Sequence, residues 1–173
     1  MITNVDAGLL ILRMVVGLLF VGHGAQKLFG WFGGKGLTGH AALMEKLGVR
    51  PAYFWAWVSA LSEFLGGLGL AAGLLMPLAA TALLGSMLVV IVRASWPKGL
   101  WNTSGGIEWP LVLATVAFGA GLAWPGVYLL DQTLRLALPE PVTYVVALIA
   151  MLIVVIGAMT MSLTASRREW RTA

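Results

Sequence analysis

The chain alternates long apolar runs with short polar connections. The first run, Val5 to Gln26, is broken by Arg13 and leads through Gly22-His23-Gly24-Ala25-Gln26 to Lys27. The second extends from Ala52 to Met76 with Glu63 as its single charge. Pro77 follows at once, where a helix can begin because proline's missing N–H would be unpaired there anyway. The third run, Pro77 to Ser95, meets its first charge at Arg93. The fourth, Glu108 to Trp124, is bracketed by indoles at Trp109 and Trp124 in the manner of interfacial anchors. The fifth, Val142 to Ala165, carries no charge. A helix needs roughly 20 apolar residues to cross a bilayer, so the pattern predicts five transmembrane helices over residues 5–26, 52–76, 77–95, 108–124 and 142–165. Within the connection 28–53, Leu37, Leu43, Met44 and Leu47 interleave with His40, Glu45 and Lys46. That predicts a short amphipathic helix over 38–47, lying in the headgroup layer and ended by Gly48 and Pro51.

Composition agrees. Of 173 residues, 60% are hydrophobic and 10% charged, and the mean hydropathy is +0.92. So few polar side chains cannot cover a water-soluble globule of this length. The expected fold is an all-α integral membrane protein, a single transmembrane domain over 1–173 with no room for a separate soluble one. The leader Met1 to Asp6 has no Lys or Arg, so the first run is read as a retained span and not a signal peptide. The absence of Cys excludes thiolate-held iron–sulfur clusters and zinc, and two His are too few for most haem or metal sites. No haem, iron–sulfur cluster or metal is therefore expected. The net charge of +4 is assigned to orientation against the lipid surface, and nucleic acid is set aside as a partner.

Orientation follows from the Lys and Arg residues between spans. One side holds Lys27, Lys35, Lys46, Arg50, Arg93, Lys98, Arg167, Arg168 and Arg171, the other only Arg135. By the positive-inside rule the first side is cytoplasmic, placing the N-terminus outside and the C-terminus inside. Seven of the eight Trp (31, 55, 57, 96, 101, 109 and 170) fall on or near that same side.

Charges within hydrocarbon are costly, which makes each a functional candidate. Arg13 lies about eight residues into its span from the outside and Glu63 about eleven into its own from the inside, at about 1.5 Å per residue. Those depths differ by less than roughly 10 Å, and an Arg13–Glu63 ion pair is expected. Arg13, Gly17, Phe20, Gly24 and Lys27 share one helical stripe. Gly66 and Gly67 follow Glu63, and Gly69 and Gly73 add a GxxxG step, so the two backbones can approach closely. The same pair could serve packing alone. His23, beside Gln26 and Lys27, could hydrogen-bond a quinone carbonyl or shuttle a proton, or cap helix carbonyls. In the segment 96–110, Trp101, Asn102, Thr103 and Ser104 set hydrogen-bonding groups beside indoles, as a headgroup or aromatic ring would require. Glu108 suits the start of the fourth helix. Asp131 can cap the short helix it begins or meet Arg135 four residues on.

Taken together these segments resemble the DoxX family of small bacterial membrane proteins. The resemblance rests on Arg13 with Gly17, His23-Gly24 with Lys27-Leu28-Phe29, Glu63 with Gly66-Gly67, Gly99-Leu100-Trp101-Asn102 with Gly105-Gly106-Ile107-Glu108-Trp109-Pro110, and Pro125-Gly126 with Leu130-Asp131. It implies a four-helix membrane bundle, to which the span 142–165 is an addition, in the bacterial inner membrane. It also implies association with the DoxD subunit of thiosulfate:quinone oxidoreductases or with membrane complexes for thiol and oxidative stress. Val127 and Leu129 stand where the family commonly has Arg and Ser, which weakens an anion-binding role for that turn.

The expected function is thus a membrane subunit of a quinone-linked oxidoreductase. Arg13, His23 and Glu63 would be its reactive polar groups, and Lys27, Trp101, Asn102 and Glu108 its binding groups. A quinone is the expected cofactor, with electrons carried by it or by a partner subunit. The competing expectation is a non-catalytic scaffold or assembly factor for a redox enzyme. The partners implied are the lipid bilayer and either another protein or a second copy meeting Gly-rich helix faces. Solute transport is disfavoured because no span has a central Pro break.

Overall fold

A computed structural model describes residues 3–122, 129–136 and 138–172, with side chains as far as Thr160. Trp124, the turn 125–128 and the side chains of Arg167, Arg168, Trp170 and Arg171 therefore lie outside the described residues. Seven α-helices occur among them: α1 (Asn4–Phe29), α2 (Gly36–Lys46), α3 (Ala52–Ala72), α4 (Met76–Val90), α5 (Glu108–Leu122), α6 (Leu130–Thr133) and α7 (Val142–Thr172). Four stretches are long and apolar enough to cross a membrane, Asn4–Phe29, Ala52–Ala72, Met76–Lys98 and Val142–Thr160, and Glu108–Leu122 is a shorter apolar helix. The protein is an all-α membrane protein.

Local chemistry sets the helix ends. Thr3 caps α1 with a reciprocal box: its hydroxyl accepts from the Asp6 N–H and the Asp6 carboxylate accepts from the Thr3 N–H at 2.9 Å. The second predicted span, 52–76, ends earlier than expected. Gly73 takes a left-handed conformation at φ 66°, and the Leu74 N–H folds back to the Gly69 carbonyl, so the last turn closes at Ala72. Leu75 also has positive φ, at 49°. The Asp131 carboxylate holds this turn, accepting from the Leu75 N–H at 2.9 Å and the Met76 N–H at 3.3 Å. The Asp131 N–H in turn donates to the Gly73 carbonyl. Asp131 thus caps α4, 55 residues away, and not α6.

The helices run alternately. Tyr144 near the start of α7 donates its hydroxyl to the Phe118 carbonyl near the end of α5, and Arg93 beyond α4 donates to the Met159 carbonyl of α7. Lys27, Lys35, Lys46 and Lys98 therefore share one end of the bundle, the basic end, and Gly73, Leu129 and Asp131 share the far end. α1 packs on α3, α3 on α4, and α4 on both α5 and α7. α4 is central, as its near-continuous burial from Met76 to Met87 requires. The main core joins Phe20, Leu70, Leu83, Leu113 and Ala117. α7 lies against α4 at Gly85, where Met151 occupies the space a larger side chain would need. The helix predicted over 38–47 runs over Gly36–Lys46, with Met44 buried against Val49 and Ala56 and Leu43 exposed.

Candidate functional site

The α1–α3 seam is built from backbone contact. A Cβ on Gly17 would lie 2.7 Å from both the Ala71 nitrogen and the Gly67 oxygen, and one on Gly24 would lie 2.5 Å from the Phe64 nitrogen. No side chain fits at either position, which is how small residues bring two membrane helices together. These contacts also fix the register. Gly24 opposite Phe64 puts the turn Gly24–Lys27 beside Glu63, and Gly17 opposite Ala71 carries Arg13 past the end of α3.

Glu63, at the middle of α3, is therefore paired with Lys27 of α1 and not with Arg13. The Lys27 Nζ to Glu63 Oε1 distance is 2.5 Å, and the Glu63 side chain is 1% exposed. The expected Arg13–Glu63 pair fails because equal depths were counted from a common membrane plane, whereas the first turns of α1 extend beyond α3. Arg13 is buried at the far end, its Nη1 lying over Gly73 where a Cβ would collide with it and with Leu129. The stripe Arg13, Gly17, Phe20 and Gly24 is the buried face of α1.

From Glu63 a line of hydroxyl groups continues through the bundle. Ser86 of α4 donates to Glu63 Oε1 at 2.6 Å. Ser59 Oγ of α3 lies 3.5 Å from Ser86 Oγ, and His40 Nε2 of α2 lies 3.4 Å from Ser59 Oγ. Each hydroxyl has one hydrogen to give. With Ser86 donating to the carboxylate, Ser59 donates to Ser86 and the His40 Nε2–H donates to Ser59. Donation then runs from His40 towards Glu63, its two outer links longer than the inner one. His40 is 7% exposed. Burial and the Lys27 charge push its imidazole down to about 4, against the opposing effect of Glu63, so the ring is neutral near pH 7.

Ser59 and Ser86 also face a cavity of about 110 Å³ between α3, α4 and α7. Ser62 joins them, and the rest of the wall is mostly apolar, with Val58, Val89, Met151 and Val155 in it and Trp55 and Arg93 at its basic end. Three buried atoms by this cavity or beside the chain have no hydrogen-bond partner among the described residues: the donors Trp55 Nε1 and Arg93 Nε and the acceptor Glu63 Oε2.

The remaining sequence candidates fall elsewhere. His23 is on the exposed face of α1. Trp101, Asn102 and Glu108 belong to a loop that closes on itself: the Asn102 N–H donates to Glu108 Oε2 at 2.8 Å, the Glu108 N–H donates to the Leu100 carbonyl, and Trp101 is exposed. Glu108 begins α5 as read from sequence. The loop shares no hydrogen bond with the Lys27–Glu63 chain among the described residues. Sequence reasoning missed Ser59, Ser86 and His40. Signals were present in part, since Ser59 stands one turn before Glu63, and His40 one turn before Met44 on the apolar stripe of α2.

Comparison with curated proteins gives no match, and neither does comparison with solved structures. The DoxX family model matches residues 8–96, slightly more than half of the chain. That stretch contains Lys27, His40, Ser59, Glu63 and Ser86; the loop around Trp101 and the residues at Asp131 lie outside it. With half of its length matched, through all five residues of the buried polar chain, the protein belongs to the DoxX family.

Proposed function

We propose that the protein is the membrane subunit of a quinone-linked redox assembly, with its basic end facing the cytoplasm, and that the cavity between α3, α4 and α7 receives the quinone ring. The observation that carries this reading is a buried carboxylate whose hydroxyl chain opens into an apolar cavity. The groups present fit a quinone: Trp55 Nε1–H is an unused donor for a carbonyl oxygen, Ser59, Ser62 and Ser86 line the same space with Arg93 at one end, and most of the remaining wall is hydrocarbon. A bound quinone would accept two electrons, delivered by a partner subunit with its own electron carrier, together with two protons. The chain's own residues handle the protons. Neutral His40 takes a proton at the basic end and passes it through Ser59 to Ser86. Glu63 ends the line, held in place by Lys27 and by the Ser86 hydroxyl. Lys27 balances the charge of Glu63 when the carboxylate is ionised.

A scaffold role is favoured by a different feature of the same residues, namely that Lys27, His40, Ser59, Glu63 and Ser86 tie α1, α2, α3 and α4 together. Titration of a short-chain ubiquinone into the detergent-solubilised protein, read by tryptophan fluorescence, separates the two. Under the quinone reading the wild type binds, Ala82→Phe abolishes binding by filling the cavity, and Trp55→Phe weakens it. Glu63→Gln should bind but lose quinone-linked turnover in the complex with its co-purified partner. Equal binding by wild type and Ala82→Phe, or none by the wild type, would leave the scaffold. Because the chain has no Cys, single cysteines at Lys98 and Gln132 report orientation. Only Gln132→Cys should react with an impermeant maleimide added outside.

A further inference from the structure

We propose that the basic end of the bundle carries an oxyanion site for a phosphate group, in the cavity enclosed by the end of α1, the connection 30–36 and α2. This cavity has a volume of about 400 Å³, is lined by Lys27, Lys35 and Lys46 together with Gln26 and His40, and has no carboxylate in its wall. Three lysine side chains border one concave surface, and their like charges repel one another unless an anion sits between them. Their neighbours do not neutralise them. Lys27 is held by Glu63 on its inner side, whereas Lys35 and Lys46 have no carboxylate within 4.0 Å among the described residues. Glu45, next to Lys46, is turned to Arg50 at 4.0 Å. Long flexible lysine stems suit a compact oxyanion bearing several acceptor oxygens.

The surroundings set the level of the site in the bilayer. Phe29, Trp31 and Phe32 are exposed at this end, and so is Leu43 on the cavity wall. Aromatic rings collect at the headgroup layer, where the phosphodiester of an anionic lipid is the abundant oxyanion and juxtamembrane lysines attract it. Leu43 would then lie along the acyl chain. A phosphate reaching the cavity from the aqueous side has the same chemistry and needs no apolar contact. An anion here shares Lys27 with Glu63, so its occupancy draws on the cation that neutralises the buried carboxylate. The site stands whether or not a quinone binds.

The test uses the full chain in a neutral detergent. Native mass spectrometry counts bound phosphatidylglycerol against phosphatidylcholine, and thermal unfolding is followed with inorganic phosphate against chloride at equal ionic strength. Lys35→Gln and Lys46→Gln should each weaken anion binding roughly fivefold, and the pair roughly twenty-fivefold. Lys35→Arg and Lys46→Arg should retain it, and Lys98→Gln, at the same end but outside the cavity, should leave it unchanged. Loss of phosphatidylglycerol alone identifies the lipid headgroup as the source, and loss of protection by inorganic phosphate identifies a soluble one. The proposal is overturned if the wild type shows neither preference, if the double Gln variant binds like the wild type, or if Lys98→Gln weakens binding as much as the cavity variants.

Discussion

The bundle buries charge at two places and treats it differently. At the far end Arg13 lies over Gly73, and Asp131 clasps the first N–H groups of α4. Both charges there lie at helix ends, and Asp131 accepts from backbone N–H groups, in line with the partial charge the start of a helix carries. In the middle of α3, Glu63 instead meets side chains that can exchange protons, in a line leading to a neutral histidine and past a cavity. Two intramembrane charges of equal rarity in the sequence thus lie in different surroundings, one at a helix end and one, under the proposed function, in position for chemistry. What separates them is the identity of the neighbouring atoms and not depth or burial, since both side chains are 1% exposed.

The sharpest break comes from removing one member of the central pair. Glu63→Ala leaves the Lys27 charge without its carboxylate in a low-dielectric seam and should cost on the order of 3–5 kcal/mol, whereas Lys27→Met with Glu63→Leu should cost much less. Chemical denaturation in mixed micelles measures both, and equal losses for single and double variants would dissolve the pair. Next is acidity. His40 is depressed to about 4 in the folded protein from an ordinary 6.5, so below about 6.5 the unfolded chain binds a proton that the folded one refuses. Stability should be full above that pH and fall as pH descends towards 4, by on the order of 3 kcal/mol. His40→Gln should flatten this slope when unfolding is followed from pH 7.5 to 4.5, and an unchanged slope would assign it to another group.

Two smaller perturbations probe the far end. Gly73→Ala places a methyl against Arg13 and Leu129 at positive φ and should cost about 2 kcal/mol through left-handed strain and crowding. Under the proposed function, redox-linked turnover per folded molecule should not change. Asp131→Ala removes the side-chain cap of α4 and should cost about 1 kcal/mol. If either far-end variant altered proton-coupled activity in the folded fraction, the division between the two regions would collapse.

Periodicity carried much of this structure. The stripe Arg13, Gly17, Phe20, Gly24 and Lys27 is legible because helical spacing repeats it, and the amphipathic pattern around Met44 located α2 for the same reason. The partner of Glu63 was not legible. It depends on the offset of α1 against α3, which the contacts of Gly17 with Ala71 and of Gly24 with Phe64 decide, and a pairwise offset leaves no period in either helix alone. Arg13 looks the better partner only when depth is counted from span ends, and the first turns of α1 extend beyond the end of α3, so equal counts are not equal heights. His23 was preferred to His40 through its closeness in sequence to Lys27. Position on the helix surface reversed this, with His23 exposed and His40 buried one turn from Met44. Ser59 and Ser86 gave little signal, because a lone serine in an apolar helix can as well satisfy a carbonyl of its own turn.

The cavity beside Ser59 and Ser86 takes its third wall from α7, at Met151, Val155 and Met159, and α7 lies wholly beyond the stretch 8–96 that the family shares. The shape of the chamber and the polar residues beside it are therefore set partly by different stretches of the chain, α7 outside the matched residues and Ser59, Glu63 and Ser86 within them. A chimera that keeps residues 8–96 and borrows the last helix of another member should change which molecules fit and preserve the acid–base behaviour, separating selectivity from chemistry along the length of a single polypeptide.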